Sequence, residues 1–251
     1  MNRLQAELQR LYLSPSAGAD AAEPAGLALT GPDGQVRSLV LELAGPSSWE
    51  RLNKIWEDVQ VELDFPAPGI AVSGIDGYQL WFSLAEPVPA AQARDMLSAL
   101  RQRYLGDVAP ERVRMSPAGA TPTIRGVPPT EAAPGQWSAF VAPDLATLFV
   151  EEPWLDLPPS PDAQADLLSR LRSVPPADFQ RALARLASAE AATDSAMTLS
   201  GTEAGVAKTL SFQQDPRRFL LEVMNDPAVE LRLRIEAAKA LLPGFEGQRP
   251  L

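Results

Sequence analysis

Neither cysteine nor histidine occurs among the 251 residues of this chain. Without cysteine there is no disulfide, no thiolate nucleophile and no sulfur-ligated metal, and such a chain suits a reducing compartment. Without histidine the usual general base, the serine–histidine triad and every imidazole metal site are excluded. No run of about 18 apolar residues occurs, so no membrane span is expected. The first residues, MNRLQAELQRLYL, are amphipathic and do not form a charged tip ahead of an apolar signal core. The expectation is a soluble, cytoplasmic protein. There is no phosphate-cradling Gly-x-x-x-x-Gly-Lys-Ser/Thr and no dinucleotide fingerprint. Positive charge is short as well: 22 basic residues face 32 acidic ones, for a net charge of −10. A surface this acidic is a poor sequence-independent binder of nucleic acid. Arginine greatly outnumbers lysine, which leaves room for a local arginine patch. The same ratio, with the abundant alanine and proline, also fits a GC-rich bacterial genome.

What is present is globular. Hydrophobic residues make up 45% of the chain, ample for a core. The 25 prolines cluster, as they would between ordered blocks joined by stiff connections. Residues 2–13 have helical spacing, with Leu4, Leu8, Leu11 and Tyr12 on one face, and a small, polar connection follows to residue 25. GLALTGPDGQVRSLVLEL then reads as a hairpin around Gly31-Pro32-Asp33-Gly34. Its second strand, Val36 to Leu43, is apolar enough to be buried on both faces. Ser47 and Glu50 have the spacing of a capping box, and Trp49, Leu52, Ile55, Trp56, Val59 and Leu63 follow with helical period. Strands over Ile70–Ser73 and Tyr78–Leu84 come next, then a helix from Ala90 to Leu105 and a short strand at Val113–Met115. The order β-β-α-β-β-α-β predicts an α+β fold, a mixed or antiparallel sheet with helices on one face, over residues 26–159.

The stretch Pro117–Gln136 reads as a long loop. Trp137–Pro143 reads as a short strand, Leu145–Phe149 as a short helix, and Pro153–Pro159 as a rigid apolar segment pinned to the core. From Ser160 onward the pattern is helical only. A helical pair is expected over 160–192, a flexible linker over 193–214 and a C-terminal helical hairpin over 215–251. Asp215-Pro216 and Asp226-Pro227 each supply an N-cap followed by proline at the first helical position. Phe219, Leu220, Val223 and Met224 line the first of these helices, and Leu231, Ile235 and Leu242 the second. That apolar face is the expected docking surface for a protein partner.

Two groups of residues bear on chemistry. Glu57, Asp58, Glu62 and Asp64 end a helix, and such acids either hold a hard cation or form a solvated face. The solvated face is the expectation, and no metal or cofactor is assigned. The second group is the hairpin GIAVSGIDGYQLWFSLAEPV. Together with the strand VRSLVLELAG before it and VRMSP after it, this hairpin resembles the archaeo-eukaryotic primase and primase-polymerase superfamily over residues 36–115. The resemblance implies an acidic pair on the first strand, a serine–histidine motif on the hairpin and a further acid on a later strand. In that family the carboxylates hold divalent metal for nucleotidyl transfer. Here Glu42 stands at the first acid and Ala44 at the second. Ser73 matches the serine, Gln79 takes the place of the histidine, and Met115-Ser116 supplies no acid. The C-terminal helices resemble, more loosely, a segment of phage small-terminase-like proteins.

These departures point to a non-catalytic binding or adaptor module on a primase-like scaffold. The alternatives are a metal-dependent nucleotidyl-transfer or other carboxylate-based enzyme with a candidate pocket at Glu42, Ser73, Asp76 and Gln79, and a phage-derived assembly protein.

Overall fold

A computed structural model describes residues 2–13, 29–118 and 126–199, with the side chains of the last helix described as far as Ser188. Up to Thr198 these residues fall in one compact unit. The C-terminal hairpin read from sequence at 215–251, including Phe219, Leu220, Val223, Met224, Leu231, Ile235 and Leu242, lies outside the described residues. So does the stretch 200–214 of the expected linker. Residues 193–199 are helical, continuing the helix Pro176–Leu199.

The fold is α+β. Five antiparallel strands form one sheet in the order β4-β1-β3-β2-β7, with β1 Gln35–Ala44, β2 Gly69–Val72, β3 Gly77–Pro89, β4 Val113–Ser116 and β7 Ala139–Val141. The expected loop before Trp137 instead contains a small two-stranded ribbon, β5 Glu131–Ala133 and β6 Gln136–Trp137. The first hairpin is shorter than its sequence suggests. Its Gly31–Gly34 turn forms, but among the described residues the leading strand amounts to a single bridge, Thr30 to Val36.

One face of the sheet carries the alternate apolar residues Leu39, Leu41 and Leu43 of β1 and Leu80, Phe82 and Leu84 of β3. Helices α2 (Ser48–Glu62) and α3 (Ala90–Leu105) cover it, α2 with Leu52, Ile55 and Val59 from the face its periodicity marked and α3 with Met96, Leu97 and Leu100. The predicted capping box at Ser47 does not form. Ser47 sits in the left-handed region at φ 57° and makes no side-chain cap bond. The preceding Ala44–Pro46 turn is held by Arg112, whose guanidinium donates to the carbonyls of Ala44 and Pro46 at 2.8 and 2.7 Å.

The opposite face is covered too. Helix α1 (Arg3–Leu11) and helix α4 (Pro161–Leu168) pack there around Val40, Trp81 and Phe140. The N-terminal helix, read from sequence as a segment ahead of the 26–159 fold, packs as part of the sheet's second layer. Its docking is polar as well as apolar. A helix leaves its last carbonyls without intrahelical partners. Those of Leu11 and Tyr12 accept from the hydroxyls of Ser83 and Ser38, at 2.7 and 3.1 Å, and these two serines face each other across β1 and β3. Gln164 of α4 does the same for the edge of the sheet: its side chain both accepts from the Phe140 N–H, at 2.8 Å, and donates to the Phe140 carbonyl, at 2.9 Å. That is how a sixth strand would engage, and it closes an edge that would otherwise be open to pairing.

Tyr12, Trp81 and Phe140 form the aromatic centre of this layer, with ring centroids 5.1 to 5.7 Å apart. Burial keeps the Tyr12 phenol neutral, far above its ordinary range, and its hydroxyl finds no hydrogen-bond partner among the described residues. Burying a lone hydroxyl costs about 1–3 kcal/mol. Tyr12→Phe is accordingly expected to stabilise the protein by about 1 kcal/mol in equilibrium urea unfolding. A loss of stability on that substitution would show instead that the hydroxyl is satisfied.

Candidate functional site

The hairpin singled out by sequence is built by its serine. The Ser73 side-chain oxygen accepts from the backbone N–H groups of Ile75, Asp76 and Gly77 at 3.3, 3.1 and 3.0 Å. The turn is closed again by the Ser73 N–H donating to the Gly77 carbonyl at 2.8 Å. Among the described residues this hydroxyl has no base beside it, and it is occupied by three donors that hold the turn.

The other three candidates do come together, around a residue the sequence reading passed over. In the strand register Glu42 of β1 stands between Gln79 of β3 and Arg114 of β4. All three point to the face that carries Trp81. The Trp81 indole N–H donates to Gln79 Oε1 at 2.9 Å, and Gln79 Nε2 donates to Glu42 Oε2 at 2.7 Å. Arg114 closes the row. One of its nitrogens lies in a very short contact with Glu42 Oε1, and the guanidinium grips Asp76 through two bonds of 3.0 and 3.2 Å.

The direction of each bond is dictated by its neighbour. An indole nitrogen can only donate, so Trp81 fixes the amide oxygen of Gln79 toward itself and the amide nitrogen toward Glu42. Glu42 therefore receives a donor on each oxygen, which suits a carboxylate. Burial opposes that charge. Glu42 is 2% exposed, and desolvation pushes its carboxyl above the usual range, with the Gln79 and Arg114 hydrogen bonds pulling back. Arg114 is more exposed and faces two acids, and its bonds to Asp76 and Glu42 hold its proton more firmly than usual. The two directions agree physically: the deeper partner of the pair bears the larger desolvation cost.

Arg114 could have been found from strand parity. Val113 and Met115 are apolar and face α2 and α3, so the residue between them must face the same side as Glu42. Met115 and Ser116 lie just past that position, opposite Leu41 and Val40. The position opposite Glu42 holds a cation.

The remaining acids are dispersed. Asp58 pairs with Lys54 at 2.8 Å, and Glu57 accepts from Asn53 at 2.9 Å. Glu62 bridges to Arg103 and Tyr104 at 2.5 and 3.0 Å. Among the described residues no group of three or more acids is gathered as a metal site requires. A groove of about 500 Å³ opens elsewhere, between Asp64–Ala67 and Arg170–Ser173, and none of the four candidate residues lines it. No model of a known protein family matches this chain, and no curated protein matches it significantly.

Proposed function

We propose that this protein is a non-catalytic binding or adaptor module, built on an α+β scaffold of the primase-like kind. One observation carries the reading: the guanidinium of Arg114 lies against both acids nearest the hairpin, Glu42 and Asp76. A catalytic Mg²⁺ or Mn²⁺ would need those carboxylates and would have to displace a cation already hydrogen-bonded to both. Ser73 is committed to its turn, and Gln79 has no proton to trade near neutral pH. What is left is a rigid polar row that orders the sheet. In this reading the work of the protein is association, and the apolar face of residues 215–243 is the surface offered to a protein partner.

The test of the catalytic half is direct. Purified protein with Mg²⁺ or Mn²⁺, nucleoside triphosphates and a primed or unprimed template is expected to incorporate no nucleotide. Metal-dependent incorporation that disappears in Glu42→Gln would overturn the reading. The association half is tested by affinity capture with the whole chain and with a chain lacking 215–251: partner recovery is expected to fall at least about tenfold on deletion.

A further inference from the structure

The described fold carries two unlike surfaces that complement each other. The first is a ridge over residues 144–157. It carries four acids, Asp144, Glu151, Glu152 and Asp156, and no lysine or arginine. Within that span Leu148 and Leu157 are 73% and 75% exposed, and Leu145 and Val150 about half exposed at 49% and 50%. The backbone beneath them is held. The Tyr78 hydroxyl donates to the Ala146 carbonyl at 2.6 Å, the Gly74 N–H donates to the Pro153 carbonyl at 2.9 Å, and Leu155 and Trp137 exchange both backbone bonds. Phe149 and Leu155 reach inward to the core. Leucines displayed from an anchored backbone pay little ordering cost on binding.

The second surface is the groove of about 500 Å³, a volume within the range of pockets that take a ligand or several side chains. Phe65, Pro66, Leu171 and Pro175 give it an apolar lining, and Arg170 and Arg172 are its cations. Neither arginine has an ion pair among the described residues, whereas the acids that share the groove face Arg181, Asp178 at 3.0 Å and Asp64 at 3.8 Å. The groove lies beside Gly69, at the start of β2, where Leu171 packs. The ridge is tied to Gly74, in the turn that follows the other end of that strand. One molecule thus presents both an acidic, leucine-bearing plug and an arginine-rimmed apolar socket, lined by different residues.

We infer that the socket receives the 144–157 ridge of a second copy of this chain, in a head-to-tail contact. Such a contact uses different patches on the two partners and so propagates into a ring or an open filament. Its charges make it sensitive to salt. This inference is independent of whether the polar row at Glu42 is catalytic.

The test uses the full chain in sedimentation velocity. Wild-type protein is expected to self-associate at low salt, with a dissociation constant raised about tenfold or more at about 0.5 M salt. Leu148→Asp spoils the plug, and Arg170→Glu with Arg172→Glu spoils the socket. These side chains are all exposed, so the fold is expected to survive, with unchanged circular dichroism and melting. Each variant alone is expected to be monomeric. Mixed together they are expected to form a capped one-to-one dimer, because the intact plug of one meets the intact socket of the other. A wild type that stays monomeric at low salt, association that survives both variants, or a mixture that remains monomeric would each overturn the proposal.

Discussion

Replacing Arg114 with methionine is expected to destabilise the protein by about 3–5 kcal/mol at neutral pH, because it leaves the buried carboxylate of Glu42 without its cation. The loss should be strongly pH-dependent, and its sign follows from burial. The Glu42 carboxyl already titrates above its ordinary value of 4.5 in the fold, and removing Arg114 raises it further. A folded state whose carboxyl has the higher pKa binds more protons than the unfolded chain. Its stability is then greatest below pH 4.5 and is lost as the pH rises through the folded value. Urea unfolding of Arg114→Met at several pH values is therefore expected to show a deficit that shrinks toward acid, where the lone carboxyl becomes neutral. The double variant Glu42→Leu with Arg114→Met should recover most of the loss at neutral pH. The remainder would reflect the Gln79 amide, still fixed by Trp81 but without an acceptor. A deficit of less than about 1 kcal/mol for Arg114→Met would mean that the row is exposed to water and contributes little, as surface pairs do.

The second large effect is expected at Gly77→Ala, at about 3 kcal/mol or more. Gly77 faces Ala44 in the β1–β3 register. A methyl group there would overlap the Leu43 carbonyl oxygen and come within 2.8 Å of the Ala44 Cα. Both are backbone atoms of an interior strand, so neither can yield without opening the sheet. Gly74 is constrained differently. It has φ +82°, and a methyl group would meet the Ala132 Cβ at 2.7 Å and the Ser138 amide at 2.8 Å. The Ser-Gly-x-x-Gly sequence thus has three separate physical reasons: a serine that binds the turn amides, a glycine in the left-handed region and a glycine against the neighbouring backbone. Thermal unfolding of Gly77→Ala checks the largest of them, and a melting temperature equal to wild type would remove the argument from close approach.

Much of the α2/α3 side of the sheet was legible in the sequence, because local spacing reports it. The period of Leu52, Ile55 and Val59 marks a helix with one buried face, and the near-continuous run in β1 marks a strand buried on both. Helix α3 begins and ends where its pattern did, at Ala90 and Leu105. The second layer was not legible. Nothing in the spacing of Leu4, Leu8 and Leu11 says which surface they cover, and nothing local to Ser38 and Ser83 says what their hydroxyls meet. Only the packed chain shows that these serines meet the last carbonyls of α1. The segment 153–159 was expected to be pinned throughout; it is anchored as far as Leu155, while Leu157 stands in solvent.

The candidate site divides along the same line. The sequence by itself determined which chemistries are excluded, since a chain without histidine or cysteine cannot assemble their sites in any fold. It also determined that Ser73 and the glycines make a turn, because that is a property of four or five consecutive residues. That Glu42 is one member of an ion pair depends on Arg114, which is 72 residues away. The pairing is made by the register of two strands and by the water excluded around them. No local pattern contains that information, so the tertiary structure alone decided it.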